Sequence, residues 1–336
     1  MHEAESVARA RKALFLVNCN YGRGLGHLRR MLVLASAFRG RSYQCTIGVS
    51  EIGRAPMVMA EGHTCVLWHQ SDRRVVDGFD LVVLDGYDHP TKLMAEWRDM
   101  LFRVLVDDLA DRPQQADVLI NHNLYGERCD YRPYEFQRAL CGPRYTIVGP
   151  GFVRLRSVPR DYPARVLVSF GSTDRGAFGE AMARALVAQA SGVRVEVAFM
   201  DAPQEVVDRL EAMGVLVHLG KALEEVMGGC SVLVGAAGST VTEALTAGLW
   251  VVGCGIAPDQ RLYTETGRAF GLDMFEAFDP PAMAAAALAR LNGDRTGEIA
   301  LIDGLGADRI VREVSSMLED HPRRTRVHGE SYERGI

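Results

Sequence analysis

The chain has 336 residues, a length that favours two domains with separate cores. Its 48% hydrophobic and 24% charged residues match ordinary globular proteins, and a net charge of −5 gives no electrostatic basis for a nucleic-acid partner. No apolar run approaches the roughly 20 residues of a membrane span, and the polar start Met1–Glu5 lacks the basic region and apolar core of a secretory signal. The 7 cysteines are scattered and never spaced as CxxC, which argues against a disulfide framework or a structural zinc site. The expectation is a cytoplasmic protein without stable membrane insertion.

In chain order, the first apolar run, Ala13–Val17, leads into Gly24-Leu25-Gly26-His27. An amphipathic helix follows, with Leu28, Met31, Leu32, Ala35 and Phe38 at helical spacing. Further strands are predicted at Cys45–Val49, Leu81–Leu84, Val104–Val106, Val118–Ile120 and Thr146–Val148. A polar segment with two prolines, Arg154–Pro163, reads as a linker. Beyond it, predicted strands at Val166–Phe170, Val193–Phe199, Val215–Leu219, Val232–Val234 and Val251–Cys254 alternate with helices at Ala177–Ala190, Gln204–Met213, Thr240–Ala247 and Pro281–Leu291. The strands are continuous apolar runs with little alternation, the pattern of parallel strands buried on both faces. The fold class is therefore α/β with doubly wound sheets. The expected units are residues 1–157, residues 158–318 and a tail, 319–336, without an apolar face.

Several residues stand where chemistry can occur. A glycine turn lets a ligand approach the backbone, and a helix start offers N–H donors to anions. Gly24 and Gly26 therefore place His27 where an imidazole either acts as a base or caps the helix. Asp85 and Tyr87, and likewise Asp107 and Asp108, lie just past apolar strands, where open α/β sheets bind ligands. Any one of these aspartates can equally be an N-cap or a solvated loop carboxylate. Gly171 and Ser172 end a strand and read as a phosphate approach or a plain turn. Gly238, Ser239 and Thr240 open a helix suited to a diphosphate. Glu243, one turn further, can accept from ribose hydroxyls or complete a capping box. Asp259 and Gln260 follow another strand and could hold sugar hydroxyls. The Gly24-to-His27 turn lacks the full GxGxxG spacing of a dinucleotide site.

The order of these pieces resembles a known family. Gly24 to Ala35, Leu84–Tyr87, Val106–Pro113, Asp117–Asn121 with Asn123, Gly142–Tyr145, Val166–Asp174, Gly235–Thr240 with Glu243, Asp259-Gln260 and Asp303–Ala307 are similar to segments of the UDP-sugar hydrolases of pseudaminic acid biosynthesis. Those enzymes are relatives of the peptidoglycan GlcNAc transferase. The resemblance covers about residues 13 to 318 and implies a GT-B fold, two Rossmann-like domains facing across a cleft. It also implies hydrolysis of UDP-2,4-diacetamido-2,4,6-trideoxy-β-L-altropyranose: water attacks the anomeric carbon and UDP leaves, with no metal and no cofactor. His27 would then orient or deprotonate the water, and Gly238–Thr240 would stabilise the departing diphosphate. Glu243 would hold the ribose, Asp259 and Gln260 the sugar near the phosphates, and Asp85, Tyr87 and Asn123 would line the sugar pocket. The chain departs from the family's pattern at Gly151, where the family has a glutamate, and at Pro258, where it has an asparagine. Two other readings remain: a GT-B glycosyltransferase acting on an alcohol or lipid carrier, and a nucleotide-sugar-binding protein without catalysis.

Overall fold

A computed structural model describes residues 9–18, 25–87, 89–161, 164–172, 174–189, 192–257, 260–291 and 302–320. The first sheet has seven parallel strands, β1 (Lys12–Val17), β2 (Gln44–Val49), β3 (Thr64–Leu67), β4 (Leu81–Asp85), β5 (Phe102–Val106), β6 (Val118–Asn121) and β7 (Arg138–Cys141), in the order β3-β2-β1-β4-β5-β6-β7. Helices α1 (Gly26–Arg39), α2 (Ala55–Ala60), α3 (Lys92–Glu96) and α4 (Pro150–Leu155) belong to this half of the chain. Strand residues alternate between two layers. Phe15 and Val17 pack under α1 with Leu28, Met31, Ala35 and Phe38, while Leu14 and Leu16 meet Trp68, Leu93, Met94 and Trp97 on the other face.

The second sheet has six parallel strands: β8 (Arg165–Ser169), β9 (Arg194–Phe199), β10 (Leu216–Leu219), β11 (Val232–Ala236), β12 (Trp250–Cys254) and β13 (Asp273–Phe275). Their order is β10-β9-β8-β11-β12-β13. Its helices are α5 (Ala177–Gln189), α6 (Gln204–Ala212), α7 (Leu223–Val226), α8 (Ser239–Thr246), α9 (Arg261–Ala269) and α10 (Pro280–Leu291), and α11 (Gly306–Asp320) ends the described chain. Among the described residues no helix is long and apolar enough to cross a membrane. In each sheet the strand order reverses once, between β1 and β4 and between β8 and β11. Beyond the carboxyl ends of strands at such a reversal lies the crevice where open sheets bind ligands. Gly26 and His27, which open α1, and Gly238, which precedes α8, belong to these two points.

The two halves exchange their ends. Helix α11, which the sequence reading placed with the second unit, buries Ala307, Ile310, Val311 and Val314 in the core beneath α1. The Tyr43 hydroxyl donates to Ser315 Oγ at 3.1 Å, tying α11 to the turn after α1. Conversely Leu124, Val148 and Phe152 join the core of the second sheet. The predicted linker begins within α4 and is fastened to the second half. Arg156 Nε donates to Thr246 O at 2.7 Å, and Arg160 Nη2 donates to Ala247 O at 2.9 Å and Gly248 O at 2.8 Å. These two cations occupy the carbonyl end of α8, where the helix dipole favours them.

One predicted strand is absent and three observed strands were not predicted. Thr146–Val148 is not a strand; its apolar character comes from Ile147 entering the first core and Val148 the second. The seventh strand of the first sheet is instead β7, with two exposed residues, Arg138 and Ala139. Edge strand β3 and the three-residue β13 carry too short or too exposed a pattern to be seen by periodicity. Replacing fully buried Ile310 by alanine should cost about 2–5 kcal/mol of stability, measured by urea unfolding. A wild-type midpoint would contradict the docking of α11 on the first half.

Candidate active site at the interdomain cleft

Helix α1 is the first element after β1, and His27 and Arg30, one turn apart, project from it toward the carboxyl end of β4. Parallel pairing sets Asp85, the last residue of β4, beside Val17, the last of β1. Gly86 then takes φ +141°, and a Cβ there would lie 2.7 Å from Asn18 Cβ. Only glycine lets β4 leave the sheet this close to β1. The Asp85 side chain is fully buried, and all its contacts are internal. His27 Nδ1 lies 2.9 Å from Asp85 Oδ1. Arg30 reaches both carboxylate oxygens, Nε to Oδ2 at 2.6 Å and Nη2 to Oδ1 at 2.5 Å. Burial alone would raise the Asp85 pKa, but the Arg30 guanidinium and His27 hold it well below the usual carboxylate range.

An ionised Asp85 can only accept hydrogen bonds. Its contact with His27 therefore places the ring proton on Nδ1 and the lone pair on Nε2. The 2.8 Å approach of Arg30 Nη2 to His27 Nδ1 follows from two donors meeting on one oxygen. Among the described residues Nε2 has no hydrogen-bond partner, and the His27 side chain keeps 12% of its surface exposed. The Tyr87 ring packs edge-on against the imidazole, centroids 4.7 Å apart.

A second buried carboxylate extends this network. Asp108 lies 2.8 Å from Arg30 Nη1 and accepts from the Tyr87 hydroxyl at 3.0 Å and Asn123 Nδ2 at 2.7 Å. Asn123 is further held by Asn121 Oδ1 at 3.0 Å. His122 Nε2 receives Arg30 Nη1 at 2.7 Å. Burial, together with the arginine charge, pushes His122 down to about 4, so this ring is a neutral acceptor. Asp107 takes the plainer of its two roles. It accepts from the Leu109 and Ala110 N–H groups at 2.8 and 3.0 Å and from the Tyr134 hydroxyl at 2.7 Å, closing its own loop.

Across the cleft, Gly171 and Ser172 follow β8 at the second reversal point, and no atom approaches the Cβ position of Gly171 within 4 Å. Gly238 precedes α8 in extended backbone with the same open space, and no side chain caps this helix. Ser239 is exposed, and Thr240 and Glu243 are half-buried. Burial, opposed by Arg29 of α1 and reinforced by Glu224, raises Glu243 to about 7. Gln260 Oε1 accepts from Ile256 N at 2.9 Å, so this side chain shapes the loop after β12. Glu224 of α7 lies directly over Gly151: a Cβ at 151 would fall 1.2 Å from its Oε1. Where the sequence lacks a carboxylate at 151, the second half supplies one. Arg154 Nη2 holds it at 3.3 Å.

The structure thus brings His27, Asp85, Tyr87 and Asn123 together, and collects Gly171, Ser172, Gly238, Ser239, Thr240 and Glu243 at the opposing reversal point. Asp85 is corrected from a sugar-pocket residue to the buried partner of His27. Gln260 turns its side-chain oxygen inward, where it accepts from Ile256 N. Gly26 is exposed as the first residue of α1; Gly24 and Asp259 lie outside the described residues. Sequence reasoning missed Arg30 and His122 and left Asp108 undecided. The usable signal was spacing, since Arg30 follows His27 by three residues and shares its helix face.

No family model matches the chain. Solved structures define its class. The calicheamicin glycosyltransferase CalG4 matches with TM-score 0.63 and 17% identity over 93% of this chain and 99% of that one. HepE from Anabaena, in complex with UDP-glucose, matches with TM-score 0.56 and 14% identity over 92% and 100%. At such identities the likeness shows the fold, and the fold is GT-B. Among curated proteins, the UDP-2,4-diacetamido-2,4,6-trideoxy-β-L-altropyranose hydrolase of Campylobacter jejuni is 25% identical over 171 residues, spanning 48% of this chain and 61% of that protein.

Because Glu243 is raised to about 7, the folded protein binds its proton more tightly than the unfolded chain, where a glutamate titrates near ~4.3. On this residue's account stability falls as pH rises from about 4.3 to about 7. Glu243→Gln should remove that slope in denaturation measured across the interval; an unchanged slope would show that Glu243 is already ionised.

Proposed function

We propose that the protein cleaves a UDP-linked sugar by attack of water at the anomeric carbon, releasing UDP and free sugar. The observation that carries this reading is the His27–Asp85 pair, 2.9 Å apart, at the mouth of one sheet, on a helix whose Arg29 interacts electrostatically with Glu243 of α8. His27 Nε2 takes a proton from the attacking water as the new C1–O bond forms. The C1–O bond to the diphosphate breaks, and its electron pair leaves with UDP. Ionised Asp85 fixes the ring tautomer and stabilises the imidazolium that results. The N–H groups at the start of α8, Gly238 to Thr240, meet the charge growing on the diphosphate. Glu243 is assigned to the ribose, Tyr87 and Asn123 to the sugar. The match to the C. jejuni hydrolase supports water as acceptor and a diacetamido-trideoxy sugar as donor. The UDP-glucose complex of HepE supports the nucleotide.

The second reading, transfer of the sugar to an alcohol or lipid carrier, draws on CalG4, a glycosyltransferase whose fold this chain shares over nearly its full length. The two readings differ only in what occupies the position next to His27 Nε2. UDP release from a panel of UDP-sugars, with EDTA and without any acceptor, separates them. Rapid release with free sugar as product is expected; tight binding without release would favour the transferase. His27→Ala should lower turnover about 10²–10⁴-fold with UDP affinity retained, as calorimetry would show. Undiminished turnover would remove His27 as the base.

A further inference from the structure

Resting on the reading of His27 as base, we propose that Arg30, clamped between Asp85 and Asp108, is a positioning residue that sets the reactive tautomer of His27 and, through Asp108, the placement of Tyr87 and Asn123.

Asp85 and Asp108 are both buried, and both lie within hydrogen-bond distance of the same guanidinium. Two carboxylates that close in a dry site cannot both stay ionised without a cation between them. Arg30 supplies it in a form lysine cannot match: a planar fork, with Nε and Nη2 on Asp85 at 2.6 and 2.5 Å and Nη1 on Asp108 at 2.8 Å. Neutral His122 accepts from the same Nη1 at 2.7 Å and adds no competing positive charge.

The consequence for His27 concerns which nitrogen carries the proton. An ionised Asp85 accepts from Nδ1–H and leaves the Nε2 lone pair for the substrate side. Without the fork, Asp85 takes up a proton and becomes a donor to Nδ1. The ring proton then sits on Nε2, and no lone pair meets the attacking water. Arg30 touches no reacting atom in this scheme; it acts through Asp85. The same cation orients Asp108, whose oxygens accept from the Tyr87 hydroxyl and Asn123 Nδ2. The base and two polar side chains beside it are thereby referenced to one buried group.

The test reads the tautomer directly. Histidine-¹⁵N-labelled protein, with His27→Gln to identify the signal, should show the neutral His27 ring protonated at Nδ1; protonation at Nε2 in the wild-type protein would overturn the proposal without any further variant. Arg30→Gln removes the cation between the two carboxylates. It should shift the ring toward the Nε2-protonated form, lower kcat by about 10²-fold or more, raise KM on the order of tenfold through Asp108, and leave UDP affinity within about threefold. Asp108→Ala should raise KM on the order of tenfold, since Tyr87 and Asn123 lose their acceptor, and leave UDP affinity unchanged. A folded Arg30→Gln protein with the wild-type tautomer and kcat would overturn the role of Arg30; an unchanged KM in folded Asp108→Ala would overturn that of Asp108. If His27→Gln retains full turnover, the base reading fails separately, while the ring signals still decide the clamp.

Discussion

Two buried carboxylates around one guanidinium are the constraint on which the first half of this molecule depends. Taking Asp85 and Asp108 out of water is costly, and removing the single cation between them would leave uncompensated charge in the interior. The geometry at the carboxyl end of the first sheet follows from meeting that cost. β4 must end beside β1, Gly86 must turn sharply away, and α1 must begin early enough to return Arg30 to the sheet. His27, one turn before Arg30, is carried into the same place with its Nδ1 against Asp85. Around Arg30 the buried polar groups satisfy one another, and among the described residues of this network His27 Nε2 is the ring nitrogen that a reaction would use.

The second half solves a different problem with similar parts. Its sheet also reverses strand order once, but the reversal point is lined by small residues and helix starts. Positively biased backbone therefore stands opposite the titratable side chains of the first half, a division suited to an anionic leaving group on one side and a base on the other. The halves are held in relation by exchanged ends. α11 returns to the first core, α4 enters the second, and Arg156 and Arg160 seal the end of α8. Glu224 over Gly151 adds a close fit at the same junction.

Much of the architecture was legible in the sequence because buried parallel strands and amphipathic helices leave continuous, periodic records. The doubly wound α/β class and the helices at 177–190, 204–213, 240–247 and 281–291 were read that way, while the GT-B arrangement came from the family resemblance. What escaped had physical reasons. β3 and β13 are edge elements with half-exposed residues, and Ile147-Val148 looks like a strand because its neighbours face two different cores. In the site, His27 was visible through its glycines. Asp85 was visible too, but its role was not. A carboxylate at a strand end reads alike whether it faces a sugar or an arginine, and only the fold shows that Arg30 consumes it. Arg30 itself reads in sequence as one of two adjacent surface cations; burial cannot be seen where an apolar face carries a charged residue at its margin.

The claim at the centre of this account is that water, activated beside His27, attacks the sugar carbon and not phosphorus. Turnover of a UDP-linked diacetamido-trideoxy sugar in H₂¹⁸O, followed by mass spectrometry of both products, tests it most directly. The account predicts ¹⁸O at the anomeric position of the free sugar and none in UDP. Label in the phosphate of UDP, or no cleavage until a hydroxyl acceptor is added, would contradict it.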